Sequence, residues 1–490
     1  MQARERSWQR IRAALGGVAL SVALASCSTI SLDQVGFGIR QAEDPAIAAL
    51  PPAQRKEHER LIATYGGVYE APALQALMEQ TVERLVAASE KPELKYRITI
   101  LNSPAINAFA LPGGSLYVTR GLISLANDTA ELSSVISHEM AHVLARHAVI
   151  REEQIRAAVL NSRAISDTLS DPQLGALALA RSRLSIATFS RGQELEADAV
   201  GVGIAARAGY DPYGASRFLT SMGRFAQLRS ATLGASQSKD IDFLSSHPST
   251  PERISIAVAN AKQFVNPQST ERDRDAFLKA LDGVTFGDDP KEGFVRGRIF
   301  LHPNLGFAFT APEGFALENT PQAVLGATGN GREALRLDAV RVSAADPLTS
   351  YVSKGWVEGV DLSTIEQFQV NGFEAATAVA RGEQWSFRLY AIRFGADVYR
   401  IAFAARELTP QLEASFRQAA LSFRRVPLEE AQAIRPLRIN IHRVTAGDTP
   451  ERLAARMAFA DRQLERFLVL NGLRRGARLT PGDHVKLVVE

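Results

Sequence analysis

The rhythm of apolar and polar positions changes three times along the chain. From about 56 to 265 the spacing is mainly helical, with two alternating stretches, Tyr96 to Leu101 and Ser115 to Thr119, that predict strands. Pro112-Gly113-Gly114 predicts the turn between Ala108-Phe109-Ala110-Leu111 and the second of these strands. Residues 266–290 are polar and charged, from Glu271 to Asp275 and again at Asp288-Asp289-Pro290, and read as a linker. From 291 to 426 the pattern becomes that of strands, such as Trp385 to Leu389 and Val398 to Phe403, with a helix from about Pro410 to Ala420. Residues 437–490 follow as a small β-α-α-β unit. The expected fold is therefore multidomain, with a mainly α domain bearing a small sheet, then an α/β domain, then this small terminal unit.

Composition narrows the function classes. With 46% apolar and 22% charged residues the chain is globular, and a net charge of +3 gives no basis for a nucleic-acid partner. A single cysteine, Cys27, excludes an intramolecular disulfide and a multi-cysteine zinc finger. That cysteine closes a short apolar run, Ala13 to Ala25, preceded by Arg4, Arg6, Arg10 and Arg12. The layout predicts a signal peptide over 1–26. Leu24-Ala25-Ser26-Cys27 resembles a lipobox, which implies a lipid anchor on Cys27. Ser28 after it favours the outer membrane, so the expected location is periplasmic, with residues 27–55 as a tether.

Chemistry concentrates in two segments. Asp128-Thr129-Ala130-Glu131 predicts a helix start, and the helix contains His138-Glu139-Met140-Ala141-His142. Histidines four apart leave one face and can converge on one ion, with Glu139 between them able to reach a water on its open side. Ile136, Met140 and Val143 are the expected core stripe. The second segment, Arg191 to Asp198, opens another helical pattern. A catalytic zinc site needs three protein ligands, and Glu194 can supply the third while Asp198, one turn on, can orient a ligand histidine.

HExxH followed by Glu194-Leu195-Glu196-Ala197-Asp198 resembles the gluzincin family of the HtpX protease and the type I CAAX prenyl endopeptidases, in its soluble periplasmic branch. Asn107 to Gly114, Gly209-Tyr210-Asp211-Pro212, His247-Pro248 and Pro251-Glu252-Arg253-Ile254 fit the same pattern. The resemblance covers roughly 56–260 and implies a zincin-like zinc endopeptidase. It carries one Zn²⁺ per chain, with His138, His142 and Glu194 as ligands and Glu139 as general base and acid. Ala108, Phe109, Ala110 and Leu111, or the partner strand from Ser115 to Val118, could pair with an extended substrate. His247 has two readings beside a plain loop: it stabilises the oxyanion, or it occupies the water's position in a resting state. The stretch from Arg151 to Arg191 exceeds what is needed to return Glu194 to the histidines, and its surplus could fold as a helical flap over the cleft.

The 291–426 region faintly resembles the PsbP-like α-β-α sandwich. The 437–490 unit resembles a LysM module, which implies contact with peptidoglycan, and its ten Arg/Lys against six Asp/Glu suit an anionic surface. The expected function is cleavage of misfolded or unassembled envelope proteins. Two alternatives stand beside it, a latent member acting as chaperone or scaffold and a peptidoglycan-binding lipoprotein.

Overall fold

The computed structural model describes residues 51–111, 113–169, 172–233, 247, 250–264, 271–354 and 356–490, with the side chains of 53 and 161–189 excluded. The signal segment 1–26, Cys27 and the tether up to residue 50 lie outside the described residues. Among the described residues no helix is long and apolar enough to cross a membrane. The chain divides into two compact units, one formed by 51–294 with 429–490 and the other holding 295–428.

The first unit opens with α1 (Pro52–Thr64) and α2 (Pro72–Ala87). Each begins with proline, whose missing N–H is harmless in a first turn. Helix α1 thus starts inside the stretch expected to be tether. Strands β1 (Arg97–Leu101), β2 (Ala108–Ala110) and β3 (Ser115–Thr119) form a sheet in the order β1-β3-β2. β3 pairs parallel with β1 and antiparallel with β2. Because β3 uses both of its edges, it has none left for a substrate, and the Ser115–Val118 alternative is excluded. β2 lies at the sheet edge, with Leu111 just past its end.

Helix α3 (Arg120–Leu125) leads into α4 (Thr129–Leu144), which carries both histidines of the pentapeptide. Instead of one apolar stripe, α4 is buried on every side from Thr129 to Ala141, and Val143 is only half-buried. Helices α5 (His147–Leu169) and α6 (Pro172–Arg207) pack on each other, and α6 also packs on α4. Helix α7 (Gly214–Leu233) covers α4, and α8 (Pro251–Gln263) covers α6 and α7.

The stretch expected to be a linker is in part folded core. Residues 274–281 form helix α9 (Arg274–Leu281), whose Phe277, Leu278 and Leu281 are buried in the core of this unit. Eight residues with charges between the apolar positions read as solvated chain, yet their spacing gives one inward face.

In the middle unit, β4 (Phe294–Arg296), β5 (Ile299–His302), β6 (Phe307–Thr310), β7 (Phe315–Asn319), β8 (Val324–Thr328), β9 (Glu333–Arg341), β10 (Val360–Val370), β11 (Phe373–Arg381), β12 (Ser386–Phe394), β13 (Asp397–Ala405) and β14 (Arg424–Arg425) make two sheets. Seven strands run antiparallel in the order β10-β11-β12-β13-β9-β8-β7, and four in the order β14-β6-β5-β4. Alternation sends the two faces of the larger sheet to different partners. Ala376, Ala378, Leu389 and Ala402 pack with Leu348 and Val352 of α10 (Leu348–Lys354). Tyr390, Ile392, Ile401 and Phe403 pack with Phe416 and Ala419 of α11 (Pro410–Leu421).

The last segment runs β15 (Arg438–Arg443), α12 (Pro450–Ala454), α13 (Gln463–Leu470) and β16 (His484–Val489), with β15 and β16 antiparallel. It is joined to 51–294 by backbone bonds, Gly283 N to Ile439 O and Ile439 N to Val284 O, both 2.8 Å. Lys486 is fully buried, and its Nζ donates to the carbonyls of Ser124 (2.8 Å) and Ala126 (2.7 Å) at the end of α3. Carbonyls left unpaired at a helix C-terminus are natural acceptors for such a donor, while burial pushes the Lys486 pKa well down. The stretches drawn as separate domains, 56–265 and 437–490, are thus parts of one compact unit.

Candidate metal centre

Asp128 caps α4 by accepting from Glu131 N at 2.8 Å, and the Glu131 carboxylate accepts from Asn127 N at 2.9 Å. This reciprocal cap sets where the helix starts, and so where His138 and His142 emerge. One turn apart, they bring their Nε2 atoms to 3.1 Å. Helix α6 supplies the rest from a single face, Glu194, Asp198 and Gly201. A Cβ on Gly201 would lie 2.9 Å from His138 N, so only glycine allows the two backbones this close. The approach carries Glu194 Oε2 to 3.5 Å from His138 Nε2 and Oε1 to 3.4 Å from His142 Nε2. His247 joins them, its Nδ1 2.8 Å from Glu194 Oε2 and 3.2 Å from His138 Nε2. One potential ligand atom from each of these four residues lies within 4.8 Å of the other three.

The donor set suits a divalent cation. Imidazole nitrogens and a carboxylate converge in a buried cluster, and among the described residues Glu139 Oε1 is buried without a hydrogen-bond partner. Burial lowers the His142 pKa to about 3, so this imidazole is neutral and able to ligate at ordinary pH. For His138 burial also opposes the charged form, but Asp198 and Glu194 outweigh it and raise the pKa to about 9. A cation would take the place of that proton. Burial acts against the Glu194 carboxylate, yet hydrogen bonding to His138, His142 and His247 holds its pKa well below the usual range. Glu139 is buried beside the cluster, and burial pushes its pKa up, the direction a proton acceptor needs.

Asp198 Oδ1 is 3.0 Å from His138 Nδ1, which turns Nε2 toward the cluster. Two further residues emerge that sequence reasoning did not assign. Arg253 of α8 is buried, and its Nε and Nη2 donate to the two Asp198 oxygens at 2.8 and 2.7 Å. Its Nη1 lies 3.1 Å from Glu194 Oε2, so one guanidinium fixes both carboxylates. The only signal was its place in Pro251-Glu252-Arg253-Ile254, at the start of a helix that Thr250 caps. The other is His147, whose Nδ1 is 2.9 Å from His142 Nδ1. Ala108, Phe109 and Ala110 are on β2, which packs against α4.

Two histidines of one turn, a glutamate from a second helix and a buried glutamate beside them define a metallopeptidase-type centre. Residues 72–260 match Peptidase family M48, so over that segment the chain is similar to this metallopeptidase family. The family implies a divalent metal, which the cluster fits. The chain is similar to the beta-barrel assembly-enhancing protease of Yersinia pestis, 32% identical over 213 residues that make up 42% of each chain. It is 29% identical to the protein of that name from Shigella flexneri over 216 residues, again 42% of each. With the mitochondrial metalloendopeptidase OMA1 of Schizosaccharomyces pombe it shares 32% over 179 residues, 36% of this chain and 50% of the relative. The match thus spans under half the length of the bacterial relatives. Among solved structures, cyanobacterial PsbP from Synechocystis sp. PCC 6803 aligns with 28% of this chain and 98% of its own, at 13% identity and a TM-score of 0.22. A likeness that weak carries no argument about the middle unit.

Proposed function

We propose that the chain is a zinc endopeptidase that cleaves misfolded or unassembled envelope proteins in the periplasm. One observation carries the reading: His138, His142 and Glu194 converge with Glu139 buried beside them. Zinc held there supplies a Lewis acid that polarises a peptide carbonyl and acidifies water. Glu139 takes the proton of the attacking water and returns it to the leaving amine. The edge strand β2, from Ala108 to Ala110, pairs with an extended backbone and holds the scissile bond in register. Backbone pairing reads little sequence, as suits unfolded substrates, and the names of the bacterial relatives favour envelope proteins.

His247 acts here as the resting-state occupant of the position that water and substrate need. Its contacts with Glu194 and His138 support this over the oxyanion role, since a donor aimed at substrate would stand clear of the donor set. Loosening it by His247→Ala, or shortening the chain around Asp171, raises turnover. The lipid anchor on Cys27 and outer-membrane attachment belong to the same proposal, tested by mass spectrometry of the mature N-terminus. Wall contact through 437–490 would use Arg474, Arg475 and Arg478, which are exposed. The deciding experiment is digestion of an unfolded protein by the full chain and by Glu139→Gln. Cleavage by the first alone supports the reading, equal cleavage by both overturns the role of Glu139, and cleavage by neither favours the latent scaffold.

A further inference from the structure

We propose that His147 is a positioning residue which holds the His142 ring toward the metal, in a relay running from Glu196 through His147 to His142. The inference rests on the zinc reading above and adds a residue to it.

His142 faces the cluster with Nε2 and presents Nδ1 to the other side, where His147 Nδ1 stands at 2.9 Å. Two imidazole nitrogens this close share one proton. With Nε2 committed to a cation, the proton belongs on His142 Nδ1, which donates to His147 Nδ1. His147 then carries its own proton on Nε2, 3.3 Å from the Glu196 carboxylate. His138 receives the corresponding support directly from Asp198. The two ligands are therefore oriented by different devices, both ending in an α6 carboxylate.

The backbone is shaped for this contact. Along a continuous helix, His147 would point about 140° away from His142. Instead α4 ends at Leu144 and Arg146 adopts φ +56°, a left-handed conformation costly for a side-chain-bearing residue. That single residue turns the chain so that α5 begins at His147 and its ring folds back onto His142. The His147 carbonyl is held by Gln193 Nε2 at 3.4 Å, and Gln193 Oε1 accepts from Arg151 at 3.3 Å. His147 is buried, while the Glu196 side chain is 60% exposed.

The test compares full-length wild type, His147→Leu, His147→Asn and Glu196→Gln. Zinc affinity is read by chelator competition, ligand geometry by the visible spectrum of the cobalt-substituted protein, and folding by melting of the metal-free form. Asparagine keeps an acceptor near the Nδ1 position and leucine removes it. His147→Leu is expected to weaken zinc binding about 10- to 100-fold and shift the cobalt spectrum, the usual cost of losing such a partner. His147→Asn is expected to stay within about threefold of wild type with its spectrum kept. Equal zinc affinity in the leucine variant, or equal losses in leucine and asparagine, would overturn the assignment. Should the leucine variant not fold, Glu196→Gln decides. About threefold weaker zinc binding with unchanged metal-free melting supports the relay, and unchanged affinity refutes it. A wild type that binds no zinc refutes the metal centre itself, a result distinct from a zinc-binding wild type with indifferent variants.

Discussion

The two compact units bury different kinds of side chain. In 295–428 the buried residues are almost all apolar, with only His302 and Thr377 as polar exceptions among those described. Around α4 and α6 the other unit buries His138, Glu139, His147, Glu194, Asp198 and Arg253. Burying charge costs several kcal/mol per ion unless a partner offsets it. The contrast therefore marks where stability has been given up for chemistry. The middle unit buries side chains that hold a shape, and the α4–α6 pair buries a donor set that fits an ion.

Four substitutions would break or sharpen that contrast. The largest effect is expected from Glu139→Gln, which should cut cleavage of an unfolded substrate by about 10²- to 10⁴-fold while leaving zinc content at wild type. Metal analysis beside the assay separates loss of the base from loss of the ion. Phe403→Ala, in the apolar unit, should cost about 3–5 kcal/mol in denaturant unfolding of that unit and leave zinc affinity alone. A change in zinc affinity there would erase the division of labour. Gly201→Ala should cost about 1–3 kcal/mol by forcing α6 off α4, and unlike Phe403→Ala it should also weaken zinc binding. The smallest effect belongs to Arg146→Gly, which relieves the left-handed turn and should raise metal-free stability by about 0.5–1 kcal/mol. Thermal melts at fixed salt would read it.

How much of the site was legible in the chain depends on the range of each interaction. His138, Glu139 and His142 are local, because one helical turn fixes their geometry, and Glu194 with Asp198 repeats that spacing on a second helix. Arg253 and His147 were not legible. Their roles come from helices meeting in space and from the unusual φ of Arg146, neither of which periodicity encodes. Helix α9 was misread because its three core residues stand among five others in a charged stretch. Lys486 shows the same limit. Within β16 a lysine reads as a solvated position, yet 51–294 covers that face and supplies carbonyls to its Nζ. The strand rhythm of 291–426 was readable as alternation, while the joining of 437–490 to 51–294 depends on backbone pairing between distant segments.

The central claim is that the buried cluster holds one catalytic zinc. Its most direct test is to strip the full chain with a chelator, add zinc back in steps, and follow cleavage of an unfolded protein together with bound metal. A single catalytic zinc predicts that activity vanishes on stripping and returns in proportion to bound zinc, saturating at one ion per chain. Cleavage that survives complete removal of metal, or a stripped chain that binds no zinc, would contradict it.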